Sequence, residues 1–315
     1  MRANTDWFRD KKWGVFCHYL AAPASSAGGA ETTAEMWNAQ VDAFDVKGLA
    51  EQLASIHAPY LFLTLGQNSG HYCAPNATYD SIARITPSKC SRRDLVEDLY
   101  AELAPRDITL LVYLPAGAPA ADPVAVERFG WEWGFEGGWP GGWQVRTGKR
   151  LAEFQEKWEA VIREWSLRWG EKVAGWWIDG CYFADEMYRH PEPPNFESFA
   201  GALKAGNPHS LVAFNPGVKV PVICHTEFED YTAGEISEAF PTTPGRFLDG
   251  AQYHILSYLG RTWGQGDPRF PDEFVYGYTK YVTDREGVVS WDVPIQTNGL
   301  IPQAFLDQLS VLSGL

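Results

Sequence analysis

The sequence predicts an α/β protein, a (β/α)8 barrel of the TIM type formed by one domain of 315 residues. Strand-like and helix-like segments alternate along the whole chain, which is typical of a parallel sheet with helices on its faces. Eight strand-like segments are present, and eight parallel strands close most simply into a barrel. Barrels of this length form around a single core, so one domain spanning residues 1–315 is expected.

The strands are predicted from short runs rich in β-branched, aromatic and other apolar residues. In chain order they cover Trp13–Tyr19, Tyr60–Leu65, Ile108–Leu114, Gly175–Ile178, Leu211–Phe214, Tyr231–Ala233, Gln252–Tyr258 and Val288–Val293. Because the strands of such a barrel run parallel, their carboxyl ends are expected to meet at one mouth. The functional residues of barrels of this type lie at that mouth.

The helices are predicted from apolar residues at helical spacing. They cover Val46–His57, Arg92–Leu103, Leu151–Trp169, Pro194–Ala205, Phe274–Arg285 and Ala304–Leu312. Ser91 is expected to cap the second of these helices. Residues 115–148 are rich in Gly, Pro and Trp, and we interpret them as an insertion that forms a lid.

The net charge of −14 argues against a nucleic-acid partner, because phosphate binding requires clustered Lys and Arg. No apolar run is long enough to span a membrane, and the first residues are charged and contain no signal-peptide core. The sequence therefore predicts a protein without nucleic-acid or membrane partners, located in the cytoplasm.

Metal and cofactor chemistry are not indicated. Five cysteines without CxxC spacing fit neither a disulfide framework nor a zinc site, and HExxH is absent. The sequence also lacks a GxSxG elbow, a Walker A loop and a GxGxxG fingerprint. We therefore expect no cofactor and no metal.

Polar residues follow most of the predicted strands at the end that would face the mouth. They are His18, Gln67, Asn68, Asp179, Asn215, Glu235 and Asp292. Asp179 ends the apolar run Gly175–Ile178 and is followed by Gly180, which would let a substrate approach the backbone closely. This context suits a nucleophilic carboxylate, although a turn or helix-cap aspartate has the same pattern.

A glycosidase that retains the configuration of its sugar needs a second carboxyl group about 5–5.5 Å from the nucleophile. Glu235 ends the sixth strand, and burial beside another carboxylate would raise its pKa toward a useful range. Asp249, just before the seventh strand, competes for the role, and Glu227 and Glu238 lie nearby in the sequence. Each of them could instead be an ordinary surface carboxylate.

At these residues the chain resembles the α-L-fucosidases of glycoside hydrolase family 29. The similar segments are Lys12–Tyr19, Phe44–Thr64, Tyr79–Ser81, Arg92–Val96, Gly175–Gly180, Asp230–Glu235 and Val289–Pro302. The resemblance implies a retaining glycosidase that acts on a terminal α-L-fucoside, with Asp179 as its nucleophile. It covers the catalytic barrel, whereas the family usually continues into a β-sandwich.

Three departures from the family pattern are informative. The histidine pair that follows the family's second strand is replaced by Gln67 and Asn68, so the preferred sugar is expected to differ from fucose. The family segment that supplies the acid in some members corresponds to Leu248-Asp249, which leaves the acid open between Glu235 and Asp249. Asp292 replaces an asparagine of the eighth strand.

The sequence therefore predicts a retaining exo-glycosidase for an α-L-fucoside or a related terminal sugar, with an oligosaccharide or glycoside as its partner. The residues expected to hold sugar hydroxyls are His18, Gln67, Asn68, His71, Asn215 and Asp292. Trp37 or Trp177 would pack on the apolar face of the sugar. The alternatives are a barrel glycosidase of different sugar specificity and a catalytically silent glycan-binding barrel. A second carboxyl group within reach of Asp179 would distinguish an enzyme from a silent barrel.

Overall fold

The computed structural model describes residues 2–21, 32–117, 119–132 and 150–315. The strands in these residues are β1 (Trp13–Cys17), β2 (Tyr60–Thr64), β3 (Thr109–Pro115), β4 (Gly175–Asp179), β5 (Leu211–Phe214), β6 (Phe247–Leu248), β7 (Ala251–Gln252), β8 (His254–Tyr258) and β9 (Val288–Val293). Seven of them form one curled parallel sheet in the order β5-β4-β3-β2-β1-β9-β8. The two short strands β6 and β7 form a separate antiparallel hairpin.

The parallel sheet and its TIM-like curl agree with the sequence prediction, but the sheet is not a closed eight-stranded barrel. The predicted sixth strand, Tyr231–Ala233, is wrong, because this stretch belongs to an irregular segment. The segment follows β8 through isolated bridges, in which the Leu256 amide donates to the Gly234 carbonyl at 2.9 Å. On the other side the Asp230 amide donates to the Val212 carbonyl of β5 at 2.7 Å.

Two buried carboxyl groups take the place of the missing strand ladder beside β5. The Val212 amide donates to Oδ2 of Asp230 at 2.9 Å, and the Phe214 amide donates to Oε2 of Glu229 at 3.3 Å. Lys204 pairs with the same Asp230 oxygen at 2.6 Å, which compensates its buried charge. These side-chain oxygens thus accept hydrogen bonds from the backbone N–H groups of β5 that a regular sixth strand would use.

Helices pack around the sheet. They are α1 (Asp6–Lys11), α2 (Ala34–Asp42), α3 (Val46–Ser55), α4 (Ala77–Ala83), α5 (Leu95–Leu103), α6 (Pro123–Phe129), α7 (Ala152–Trp169), α8 (Ala184–Met187), α9 (Phe196–Leu203), α10 (Asp272–Thr283) and α11 (Gln303–Ser310). Helix α5 is capped by Asp94, which accepts from the Glu97 amide, and not by the predicted Ser91. The Ser91 hydroxyl donates instead to the Arg93 carbonyl.

Aromatic side chains fill the core on both sides of the sheet. Inside the curl, Phe8 of α1 lies under the sheet and packs its ring 5.2 Å from those of Tyr60 and Tyr231. Outside it, Trp165 and Trp169 of α7 stack at 6.0 Å, and Trp169 stacks on Trp176 of β4. This packing fixes β4, whose last residue is Asp179.

The insertion predicted at residues 115–148 is described only in part. Its first half contains α6, followed by Trp131, whose ring packs 4.7 Å from Phe154 of α7. Residues 133–149 lie outside the described residues, and with them the second half of the predicted lid. Among the helices described above, none combines the length and the apolar character that crossing a membrane requires.

Candidate active site

Polar side chains gather at the carboxyl ends of the parallel strands. Asp179 is the last residue of β4, and Asn215 directly follows β5. His18 directly follows β1, and Asp292 is the penultimate residue of β9. The register places Asp292 beside Phe16, so its side chain and that of His18 reach the same end of the sheet. The predicted mouth therefore contains these four residues.

Asp179 accepts hydrogen bonds on both carboxylate oxygens. The Tyr113 hydroxyl donates to Oδ2 at 2.7 Å. The Asn215 amide donates to Oδ1 at 2.8 Å, and the Tyr182 hydroxyl donates to the same atom at 3.3 Å. Gly180 has φ +81°, a conformation that glycine adopts without strain, and it turns the chain away from the site. The carboxylate is thereby held by three donors from three different segments.

Asn215 connects Asp179 to Glu235. The nitrogen that donates to Asp179 also donates to Oε2 of Glu235 at 2.6 Å. The carbonyl oxygen of the same side chain accepts from the Gly217 amide at 3.0 Å, which fixes the orientation of the Asn215 amide. The two carboxyl oxygens are no farther apart than the sum of their distances to the shared nitrogen. The two oxygens are therefore no farther apart than the carboxyl groups of retaining glycosidases, which are about 5–5.5 Å apart.

The environment of Glu235 favours its protonated form. Burial and, secondly, the negative charge of Asp179 raise the pKa of Glu235 to about 7. The hydrogen bond from Asn215 and the nearby His18 oppose this rise without cancelling it. Glu235 can therefore hold a proton near neutral pH and release it to an acceptor in the same site.

His18 and Asp292 form a second pair. Nδ1 of His18 donates to Oδ1 of Asp292 at 2.7 Å, and the Gly264 amide donates to Oδ2 at 2.6 Å. Burial alone would lower the pKa of His18, but the Asp292 carboxylate together with Asp179 and Glu235 outweighs burial and leaves that pKa raised. Asp292 is fully buried, so its role is to orient His18.

The loop after β2 brings one predicted residue into this network. Nε2 of Gln67 donates to the Tyr113 hydroxyl at 2.9 Å. Asn68 is half-buried, and its backbone carbonyl accepts from the Ala121 amide. His71 is 2% exposed and packs edge-on against Trp37 at 6.2 Å. Within the described residues, Gln67 is the one of the three with a hydrogen bond to a residue that contacts Asp179.

The two tryptophans predicted to pack on a sugar are buried instead. Trp37 is 0% exposed, and its indole nitrogen donates to the Tyr72 carbonyl. Trp177 is 3% exposed and donates to the Ala233 carbonyl. Both side chains are packed in the core, so the structure gives no support to a contact between either ring and a sugar.

Asp249 is not brought to the site. It occupies the turn of the β6–β7 hairpin with φ +48°, and it precedes the amino-terminal end of β8. Glu235, in contrast, bridges Leu256 within β8. Glu238 lies farther along, where it pairs with Arg269 and is 82% exposed. Glu235 is thus the carboxyl group that the structure pairs with Asp179.

Sequence reasoning missed three aromatic residues of the site. The Tyr113 hydroxyl donates to Asp179, whereas the position of Tyr113 in the apolar strand β3 predicted only a core side chain. Tyr182 lies in the loop that follows β4. Trp263, in the loop after β8, is half-buried and packs 5.9 Å from the His18 ring and 4.8 Å from Tyr258. The sequence signal for Trp263 was its position in a loop that follows a predicted strand, directly before Gly264.

The fold and the site together define an α/β protein of TIM-like type with a bridged carboxyl pair at the carboxyl ends of its strands. No family model and no curated protein matches the sequence. Among solved structures, an endo-fucoidan hydrolase of glycoside hydrolase family 107 is similar with a TM-score of 0.72 and 17% identity, over 98% of this chain and 53% of that one.

Two further structures extend the comparison. Another endo-fucoidan hydrolase of family 107 has a TM-score of 0.68 and 14% identity, over 96% of this chain and 90% of that one. An α-L-fucosidase of family 29 from Bacteroides thetaiotaomicron has a TM-score of 0.64 and 14% identity, over 100% of this chain and 74% of that one. The chain spans about half of the first of these proteins. At such identities the likeness shows a shared fold, and the similar structures are fucose-acting glycoside hydrolases.

Proposed function

We propose that this protein is a retaining glycoside hydrolase for a fucoside or a closely related sugar, with Asp179 as nucleophile and Glu235 as acid and base. The observation that carries the proposal is the Asn215 amide, which donates to both carboxyl groups and so keeps them no farther apart than a retaining mechanism requires. A catalytically silent glycan-binding barrel would need hydrogen bonds to its ligand but no such pair.

The first chemical step forms a covalent intermediate. A carboxylate oxygen of Asp179 bonds to the anomeric carbon while the bond from that carbon to the leaving oxygen breaks. The proton of Glu235 passes to the leaving oxygen. The raised pKa of Glu235, due first to burial and then to the Asp179 charge, supplies this proton near pH 7.

The second step reverses the roles. The oxygen of a water molecule attacks the anomeric carbon, and its proton passes to Glu235. The bond to Asp179 breaks as the bond to water forms, the carboxylate is regenerated, and the sugar leaves with its original anomeric configuration. Asn215 keeps its two hydrogen bonds in a geometry that serves both steps.

The surroundings of the pair support a sugar ligand. Because Nδ1 of His18 is bonded to Asp292, only Nε2 of that ring remains to meet a sugar hydroxyl. Trp263 offers an aromatic ring beside His18, and the apolar face of a sugar packs on such rings. The similar family 29 and family 107 structures act on α-L-fucosides and fucoidan, which favours a fucose-type sugar. Gln67 and Asn68 favour a preference that differs from fucose at one ring substituent.

Cleavage within a chain is the second candidate. Two of the similar structures are endo-acting fucoidan hydrolases, and they have higher TM-scores than the family 29 enzyme. Incubation with fucoidan separates the two modes of action. Release of single sugars supports exo cleavage, and release of oligosaccharides supports endo cleavage.

The test of the proposed function is a screen of 4-nitrophenyl glycosides that includes the α-L-fucoside. The wild-type protein should release nitrophenol from at least one sugar, with the fucoside hydrolysed more slowly than a close analogue. Asp179→Ala should lower kcat by several orders of magnitude, and azide should restore part of it by forming a glycosyl azide. The exposed Asp185 lies in α8, the short helix that follows β4, so Asp185→Ala is a matched control that should leave the rate unchanged. Equal rates in wild type and Asp179→Ala would contradict the assignment.

A further inference from the structure

We propose that Gln67 is a positioning residue that acts on the nucleophile through Tyr113, an inference that rests on the proposed function. The observation is a continuous chain of donors. Nε2 of Gln67 donates to the Tyr113 hydroxyl at 2.9 Å, and that hydroxyl donates to Oδ2 of Asp179 at 2.7 Å. Gln67 thus reaches Asp179 without touching it.

The direction of this chain follows from the number of protons. A tyrosine hydroxyl has one hydrogen and can also accept a bond. An ionised carboxylate can only accept, so the hydrogen of Tyr113 must point to Asp179. The oxygen of Tyr113 is then left to accept from Gln67. Burial and, secondly, the charge of Asp179 raise the pKa of Tyr113 far above its usual value, so this hydroxyl keeps its proton.

The ring of Tyr113 is fixed in place, which makes it a suitable connector. It is 1% exposed and stacks on Trp177 with a centroid distance of 5.5 Å and an interplanar angle of 18°. Phe16 and His18 meet it edge-on at 5.9 Å and 5.6 Å. Since the ring cannot shift, the remaining freedom lies in the rotation of its hydroxyl. The Gln67 amide removes that freedom by occupying the accepting side.

This arrangement gives Gln67 a role different from that of a simple sugar ligand. Its amide nitrogen is engaged with Tyr113, whereas its Oε1 bonds no residue in the described part of the chain. A sugar hydroxyl that meets Gln67 can therefore donate to Oε1 or accept the second hydrogen of Nε2. Gln67 then links recognition of one hydroxyl to the orientation of the nucleophile.

The test is a double-mutant cycle on the aryl glycoside that the wild-type protein hydrolyses fastest. Gln67→Met keeps the length of the side chain and removes both of its polar atoms. We expect it to lower kcat roughly tenfold, with a smaller change in KM, because a bond supporting a charged group is lost. In a Tyr113→Phe background the same substitution should change kcat less than about twofold, because the connector is absent.

Two further variants complete the design. Gln67→Glu has a similar shape but cannot donate when ionised, so it should lose kcat as Gln67→Met does. Gln67→His retains an N–H donor and should recover part of the lost kcat. Gln303→Met, on the exposed surface of α11, is the matched control for the glutamine-to-methionine change.

Three outcomes would overturn the inference. If Gln67→Met lowered kcat by the same factor in the wild-type and Tyr113→Phe backgrounds, Gln67 would not act through Tyr113. A rise in KM with unchanged kcat would show that Gln67 only binds the sugar. If the wild-type protein hydrolyses no glycoside at all, the proposed function itself fails and this inference fails with it.

Discussion

The side-chain amide of Asn215 has two hydrogens, and each is donated to a different carboxyl group. At the scale of single residues this bond pattern joins the two groups to which we assign the roles of nucleophile and acid. Asp179 accepts from three donors, which suits a negative charge. Glu235 accepts from Asn215 while burial and the charge of Asp179 raise its pKa. Of the two carboxyl groups in this site, Glu235 is thus the one that its surroundings favour in the protonated form.

The proposed role of Glu235 predicts that the effect of removing its carboxyl group depends on the substrate. Glu235→Gln should slow glycosides with poor leaving groups far more than those with activated ones, because only the former need a proton. The measurement is kcat/KM over a series of aryl glycosides whose phenols differ in pKa. Asp249→Asn is the matched control, since that residue lies in the β6–β7 hairpin. If Asp249→Asn shows the dependence and Glu235→Gln does not, the assignment is reversed.

The same residue sets the expected pH dependence. Because Glu235 must be protonated in the first step and its pKa is raised to about 7, kcat/KM should fall as the pH rises through about 7. This basic limb should be absent in Glu235→Gln when it is measured with an activated glycoside. A basic limb that persists in that variant would belong to another group.

Several residues of this site were predictable because they directly follow apolar strands. His18, Asp179, Asn215 and Asp292 lie where the sequence placed them. Tyr113 was missed because an aromatic residue in an apolar strand predicts packing, and only the structure shows its hydroxyl on Asp179. Trp177 is buried, and periodicity does not reveal which aromatic ring has an accessible face.

At the scale of elements, the segment of residues 230–236 is the clearest failure of prediction. Its sequence has the apolar and β-branched residues of a short strand, and it does follow β8. Its pairing with β5 is replaced by the carboxyl groups of Glu229 and Asp230. Strand propensity indicates which backbone conformation a segment favours. It does not indicate that a side chain will bond to the neighbouring strand in place of the backbone. The seven strands of the parallel sheet had no such competitor and were predicted.

β8 contains a fully buried histidine whose effect on stability depends on pH. His254 bonds the Thr232 carbonyl through Nδ1 and the Ser290 hydroxyl through Nε2, and burial lowers its pKa to about 4. Between pH 6.5 and pH 4 the unfolded chain therefore binds more protons at this residue than the folded chain. The free energy of unfolding should fall as the pH is lowered through this range, by about 3 kcal/mol from this group.

Urea unfolding of wild type and His254→Gln at several pH values between 4 and 7 measures this contribution. The variant should be less stable at pH 7 but should lose less stability as the pH falls. His209→Gln, at an exposed position, is the matched control and should follow the wild type. Equal slopes for wild type and His254→Gln would contradict the prediction.

At the scale of the whole molecule, the curled sheet brings residues that are distant in sequence to one end. His18 and Asp292 are 274 residues apart and share a hydrogen bond. The alternation of strands and helices was enough to predict this convergence, because parallel strands end on the same side. The distance between Asp179 and Glu235 was not predictable, because it depends on the irregular segment that carries Glu235.

The central claim is that a covalent intermediate forms on Asp179, and trapping that intermediate tests the claim directly. A 2-deoxy-2-fluoro glycosyl fluoride of the preferred sugar should react quickly, because fluoride leaves easily, and should be released slowly, because the fluorine at C2 disfavours the charge of the transition state. Mass spectrometry of the incubated protein should show the addition of one fluorosugar. Digestion should place it on the peptide that contains Asp179. Steady hydrolysis of glycosides without any adduct, or an adduct on a different carboxyl group, would contradict the account.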